Sequence, residues 1–363
     1  MNKISIPIVK DSEIEIKKEL EEENEIKVEN EIKAENEIEL RHKKYFKEVI
    51  NNNLENLTEK LKKEPKKTWQ KEIIDNIKEN WSILAIGKPD KLKEFYENYI
   101  ESYQENLNKD KDFRRELLNT FGYNKFIDIS SYEKKLKKQN QNGYEITSTN
   151  FMKTYESKDE WNAYTFIFKI NLKVCPYCNR QYITPILSQD GKLRADIDHW
   201  LPKDEYPYFS MSLYNLVPSC KFCNSSLKGS KYSDINPYID DIDNLIQFKL
   251  HDELKETPIK VDIKNKKEEK KIKNYLNIYK IELLYDYHKD KAKYIKDLRT
   301  KYSEENIRQI YEKNKNVFKS IEEVKNDIIG EVVKKEDINN EPLSKLKRDI
   351  LEQYGFIDKR RYW

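Results

Sequence analysis

From Arg41 to Asn150 apolar positions recur at helical spacing. Trp69, Ile73, Ile77 and Trp81 fall at i, i+4, i+8 and i+12, and Leu92, Phe95, Tyr99 and Tyr103 follow every three or four residues, which predicts amphipathic helices with their aromatic stripes in a core. Breaks are expected at Pro65, at Gly87-Lys88-Pro89, and over Lys134 to Gly143, a polar run that reads as a loop. Ser157 to Glu160 has the form of a capping box, opening a helix through Trp161, Tyr164 and Phe168. The period then changes. Leu193 to Trp200 alternates, so Asp196 and Asp198 share one face of a strand before Pro202 turns the chain. Ile246, Phe248 and Leu250 alternate on one side of a polar turn and Ile259, Val261 and Ile263 on the other, which predicts a hairpin. Beyond Lys264 the helical period returns. Leu284, Tyr287, Lys291, Tyr294, Leu298 and Tyr302 trace one face, and final helices are expected around Ile321 to Val333 and Leu343 to Tyr354, ending at Gly355.

Charge divides the chain unevenly. Residues 23–40 form a degenerate repeat, ENEIKV, ENEIKA, ENEIEL, whose apolar positions recur at spacing two; this suits an exposed strand or a solvated tail. Residues 1–40 carry a net −7, so the rest of the chain carries a basic excess of +10 within an overall +3, compatible with a polyanionic partner. The segment Lys289 to Lys301 holds six Lys or Arg against two Asp, which suits either a phosphate-contacting surface or a solvated helix face. With only seven glycines, helices are favoured over turn-rich sheets. No apolar run reaches the length of a membrane span and no secretory signal opens the chain, so a cytoplasmic location without membrane contact is expected. The organisation expected is an acidic low-complexity tail over 1–40, a helical domain over 41–170, a central domain over 171–265, and a helical region over 266–363.

The central stretch carries the chemistry. All four cysteines lie in two C-x-x-C pairs, Cys175/Cys178 and Cys220/Cys223. In a reducing cytoplasm such pairs favour a metal over disulfides, and four thiolates complete a closed, structural Zn²⁺ site. Between the pairs Asp198 and His199 end the predicted strand; a carboxylate there can hold a hard cation such as Mg²⁺, and a neutral imidazole can take a proton from water. Asn215 can hold the loop beside the histidine, and Asn224 can offer an amide oxygen to the same cation. Lys203 and Lys228 are candidates for contacting a substrate phosphate. No G-x-x-x-x-G-K-[ST] or G-x-G-x-x-G sequence suggests a second activity.

The order Asp198-His199, then Asn215, then Asn224, bracketed by the knuckles, resembles the HNH endonucleases of the ββα-metal (His-Me finger) class. Within that class, DHWLPKDEYPYFSMSLYNLVPSCKFCNSSLKG is similar to the PtuB-like HNH proteins of prokaryotic antiphage systems. The resemblance implies an α+β, mostly helical chain with a central zinc-stapled ββα-metal nuclease domain. It further implies Asp198 and Asn224 as ligands to Mg²⁺ or Mn²⁺, His199 as general base and Asn215 as the residue orienting its loop. Nucleic acid, DNA first, is the expected substrate, with an ATPase partner in a defence system. The alternative is a zinc-dependent nucleic-acid-binding module whose HNH-like site is inactive.

Overall fold

The helical periodicity is realised as short helices wrapped around one continuous apolar core. In a computed structural model, which describes residues 2–4, 37–63, 68–140, 143–151, 160–251, 258–330 and 334–357, buried side chains from Ile4 and Ile38 through to Ile357 join a single cluster. The four cysteines belong to it. Ile73 and Ile77 are fully buried in the helix Thr68–Glu79, and Trp69 and Trp81 pack against the same core from its margin. The expected break at Gly87 is present: Trp81–Ile86 ends there and Pro89 opens the helix Pro89–Phe95. Gly87 is demanded by a close approach, since a Cβ there would lie 2.3 Å from the Ile83 carbonyl oxygen.

Three expectations are corrected. Lys134 to Gln139 is helical, within Ser130–Gln139. Its lysines face water while Tyr132 and Leu136, one turn apart, bury against Phe151, Phe168 and Leu187 in a second small cluster, and that tertiary contact outweighs the polar composition. The last part of the acidic repeat is also helical: Glu37–Tyr45 buries Ile38 and Leu40, and Glu37 pairs with Arg41 and with Lys169. This helix runs across the boundary expected at residue 40. Finally, the stripe through Tyr287 and Tyr294 is not the buried one, for these side chains are 82% and 62% exposed. The chain breaks between helices Ile281–Asp286 and Lys289–Lys301, which resets the phase: of the stripe, Leu298 is buried and Leu284 and Tyr302 pack against the core, while Ile281, Tyr285, Ala292 and Ile295 take the core positions that Tyr287 and Tyr294 do not.

Pro65, residues 23–36 and Ser157 to Asp159 lie outside the described residues. The helix after them, Ala163–Ile170, opens with a capping box of its own, Asn162 and Thr165. The expected hairpin forms, and the carboxy-terminal helix Ser344–Gln353 ends as expected near Gly355, at φ +70°.

Among the described residues, seven short strands accompany the helices, an arrangement compatible with an α+β chain. β1 (Glu145–Thr147), β2 (Ile186–Ser188) and β3 (Lys192–Leu193) form one antiparallel sheet. β4 (Asp196–His199) pairs with β5 (Leu216–Ser219), and β6 (Ile246–Leu250) pairs with β7 (Ile259–Ile263). The β4–β5 pair and the short helix Phe222–Lys228 that follows it position the candidate site. Among the described residues, no helix is long and apolar enough to cross a membrane.

Candidate metal centre and active site

Each C-x-x-C pair sits on a tight turn that leaves its sulfurs converging. The first lies within the turn closed by an isolated bridge between Val174 and Tyr182, where Asn179 adopts φ +49° and donates its N–H to the Cys175 carbonyl at 2.8 Å. The second begins as β5 ends, where the N–H of Cys223 points at Cys220 Sγ, 3.5 Å away. Donation of this kind stabilises a thiolate. All four sulfurs lie within 4.8 Å of one another, and Cys178 Sγ and Cys220 Sγ are 3.9 Å apart. That is too long for a disulfide and close to the roughly 3.8 Å tetrahedral edge that Zn–S bonds of about 2.3 Å require. Four buried, converging sulfurs can hold a zinc ion. The carboxy-terminal helices clamp the first knuckle from outside, with the Tyr285 hydroxyl donating to the Cys178 carbonyl at 2.6 Å and the Tyr275 hydroxyl donating to that of Tyr177.

The knuckles set the ends of the segment that holds β4. Along this strand Asp196 and Asp198 point to one side and His199 to the other. Asp198 is 2% exposed; its Oδ2 accepts from the Tyr177 hydroxyl at 2.7 Å and its Oδ1 from Lys228 Nζ at 2.9 Å. Burial pushes its carboxyl up from the usual range, against the pull of Lys228 and Tyr177. Lys228, expected to face a phosphate, instead turns inward: it is 1% exposed and also donates to the His199 carbonyl at 2.7 Å. Lys228→Met should therefore cost about 3–5 kcal/mol by stranding a buried carboxylate. The double variant with Asp198→Asn should recover much of that loss, with both read from urea denaturation.

His199 is 7% exposed, and its Nε2 lies 2.9 Å from the Ser210 carbonyl oxygen. A carbonyl only accepts, so the neutral ring carries its proton on Nε2 and its lone pair on Nδ1. Burial, helped by the nearby Lys203 ammonium, pushes the imidazole down to about 3, so it is neutral at physiological pH. Asn215 is fully buried just before β5. Its Oδ1 accepts from the Leu201 N–H at 2.6 Å, and its Nδ2 donates to the carbonyls of Phe209 at 2.8 Å and Leu201 at 3.2 Å. One amide thus ties together both ends of the loop that carries Ser210.

Asn224 meets Asp196 rather than Asp198. Its Nδ2 donates to Asp196 Oδ2 at 3.2 Å, with the Ser225 hydroxyl 3.4 Å from the same oxygen, which leaves Asn224 Oδ1 as the donor available to a cation. Asp196 is only half-buried. The alternation that placed it on the face of Asp198 was the signal that could have singled it out. Lys203 stays near the surface, its Nζ 4.5 Å from the centre of the Tyr123 ring. Tyr177 was legible only as a neighbour of Cys178, and Tyr123 had no local signal at all.

Compared with known proteins, the chain is 39% identical over 72 residues to protein ea31 of Escherichia phage lambda, a match covering 18% of this chain and 21% of that protein. It is 38% identical over 78 residues to Septu protein PtuB of Bacillus thuringiensis, covering 20% of this chain and 28% of that protein. The similarity thus spans well under a third of either curated relative. No family model matches the chain. No solved structure matches it either.

Proposed function

We propose that this chain is a metal-dependent HNH endonuclease that hydrolyses phosphodiester bonds in DNA and serves as an effector of antiphage defence. The observation that carries the reading is His199: a buried, neutral imidazole whose Nε2 is tied to a carbonyl, leaving Nδ1 as a base, on the strand that also bears Asp196 and Asp198. In this reading Nδ1 takes a proton from water as the water oxygen attacks phosphorus. The P–O3′ bond breaks and the leaving 3′ oxygen is protonated from solvent, giving 5′-phosphate and 3′-hydroxyl ends.

The oxygens of Asp198, Asp196 and Asn224 suit a hard cation, and each Asp198 oxygen keeps a second lone pair beyond its bonds to Tyr177 and Lys228. Bound there, Mg²⁺ or Mn²⁺ would supply Lewis-acid stabilisation of charge on the phosphate and the leaving oxygen. Asn215 holds the loop that orients His199, and in this reading Lys203 contacts the phosphate. Residues 171–265 would form the nuclease domain, between helical segments 41–170 and 266–363 and behind the acidic tail 1–40. Similarity to Septu protein PtuB supports the defence role and makes a partner protein plausible, an ATPase by the motif resemblance.

The test is incubation of purified, zinc-loaded protein with supercoiled plasmid, single-stranded DNA and RNA, with and without added Mg²⁺. Nicking of plasmid only when Mg²⁺ is present is expected. Failure to cut any of the three by protein with full zinc content would leave the binding-module reading in its place.

A further inference from the structure

We infer that the amino-terminal helices complete the active centre, and that Tyr123 is the positioning residue that holds both His199 and Lys203; the inference rests on His199 acting as the base. Tyr123 opens the short helix Tyr123–Ile127 just after Gly122, whose φ of +69° supplies a left-handed turn. Its ring meets the His199 ring edge to face, with centroids 4.5 Å apart and planes at 71°. The Lys203 ammonium stands 4.5 Å from the centre of the same tyrosine ring, within the range where the ring quadrupole attracts a cation. Two restraints thus act on the imidazole: the Ser210 carbonyl fixes Nε2, and Tyr123 walls the ring. The same wall keeps Lys203 beside the base.

The loop that supplies the Ser210 carbonyl is held by the same helices. Phe209 packs edge-on against Phe95 and Tyr206 against Tyr96, at 6.1 and 5.7 Å between centroids. His42 Nε2 lies 2.6 Å from the Met211 carbonyl oxygen, and its Nδ1 accepts from the Trp161 indole at 2.9 Å. The ring wall and the groups that brace the Ser210 loop on this side, Tyr123, Phe95, Tyr96 and His42, therefore come from outside the zinc-stapled segment. The helices are walls of the site as well as its scaffold.

Tyr123→Phe preserves the ring and should keep kcat within about threefold of wild type. Tyr123→Leu keeps an apolar side chain but removes the wall, and kcat should fall on the order of 10²-fold with KM for DNA little changed, as for a misplaced catalytic group. A second readout is independent of activity. Nitrogen-15 NMR of labelled histidines, with the His199 signals assigned through His199→Ala, should show one neutral Nε2–H tautomer in wild type and Tyr123→Phe, and a mixture in Tyr123→Leu. His199 nitrogen shifts unchanged by Tyr123→Leu would overturn the positioning role whatever the activity. Should that variant lose zinc and fold, wild type decides: contact between the two rings in nuclear Overhauser spectra supports the role and its absence overturns it. A fixed tautomer that depends on Tyr123 in a protein that cuts nothing would retain the positioning and reject the nuclease reading.

Discussion

Cys220→Ser is expected to abolish zinc retention and unfold the central segment. Four sulfurs converge within 4.8 Å, all buried, so losing one leaves three that either hold an incomplete ion or, without metal, take up protons as buried thiols and no longer tie the two knuckles together. A structural zinc contributes roughly 10–16 kcal/mol in small zinc domains, whereas net stability of a whole domain is only about 5–15 kcal/mol. The metal term is therefore as large as the margin it protects. The effect should spread to the carboxy-terminal helices, because the hydroxyls of Tyr275 and Tyr285 bond to the backbone of the first knuckle. Wild type should carry one zinc per chain by atomic absorption, and the variant should carry little, with near-ultraviolet circular dichroism largely lost at 25 °C. Retention of the wild-type melting curve by Cys220→Ser would show that the core, and not the metal, holds the two knuckles together.

What the sequence made legible was local. The two knuckles, the Gly87–Pro89 break and the β6–β7 hairpin each declare themselves within a few residues, because turn chemistry and strand alternation are set by neighbours in the chain. What was missed depended on distant partners. Lys134 to Gln139 looked like a loop because its composition is polar, and only the cluster around Phe151, Phe168 and Leu187 shows why Tyr132 and Leu136 hold it as a helix. Lys228 carries the charge of a phosphate ligand, yet Asp198 takes it into the interior. Asp198 and Asn224 were expected as a pair from their order in the motif, while β4 and the helix Phe222–Lys228 bring Asp196 to Asn224. The histidine itself was legible from its company; its tautomer was not, because that depends on a carbonyl delivered by a loop that packs on helices far along the chain.

On the proposed nuclease reading, removing that histidine isolates the chemical step. His199→Ala should lower the Mg²⁺-dependent nicking rate by about 10²–10⁴-fold, the usual worth of a positioned general base. The loss should fall on kcat and leave KM for DNA nearly unchanged, because the ring is buried against Tyr123 and Ser210 rather than spread on a binding surface. Stability should fall by only about 1–3 kcal/mol, the cost of leaving the Ser210 carbonyl without its donor, and zinc content should not change. Asn224→Ala makes the contrast, since it removes an oxygen suited to the cation while leaving the base in place. It should raise the Mg²⁺ concentration needed for half-maximal nicking, which His199→Ala should not shift. If His199→Ala nicks at the wild-type rate, the base lies elsewhere; if both variants shift the Mg²⁺ requirement equally, the division of labour between His199 and Asn224 is wrong.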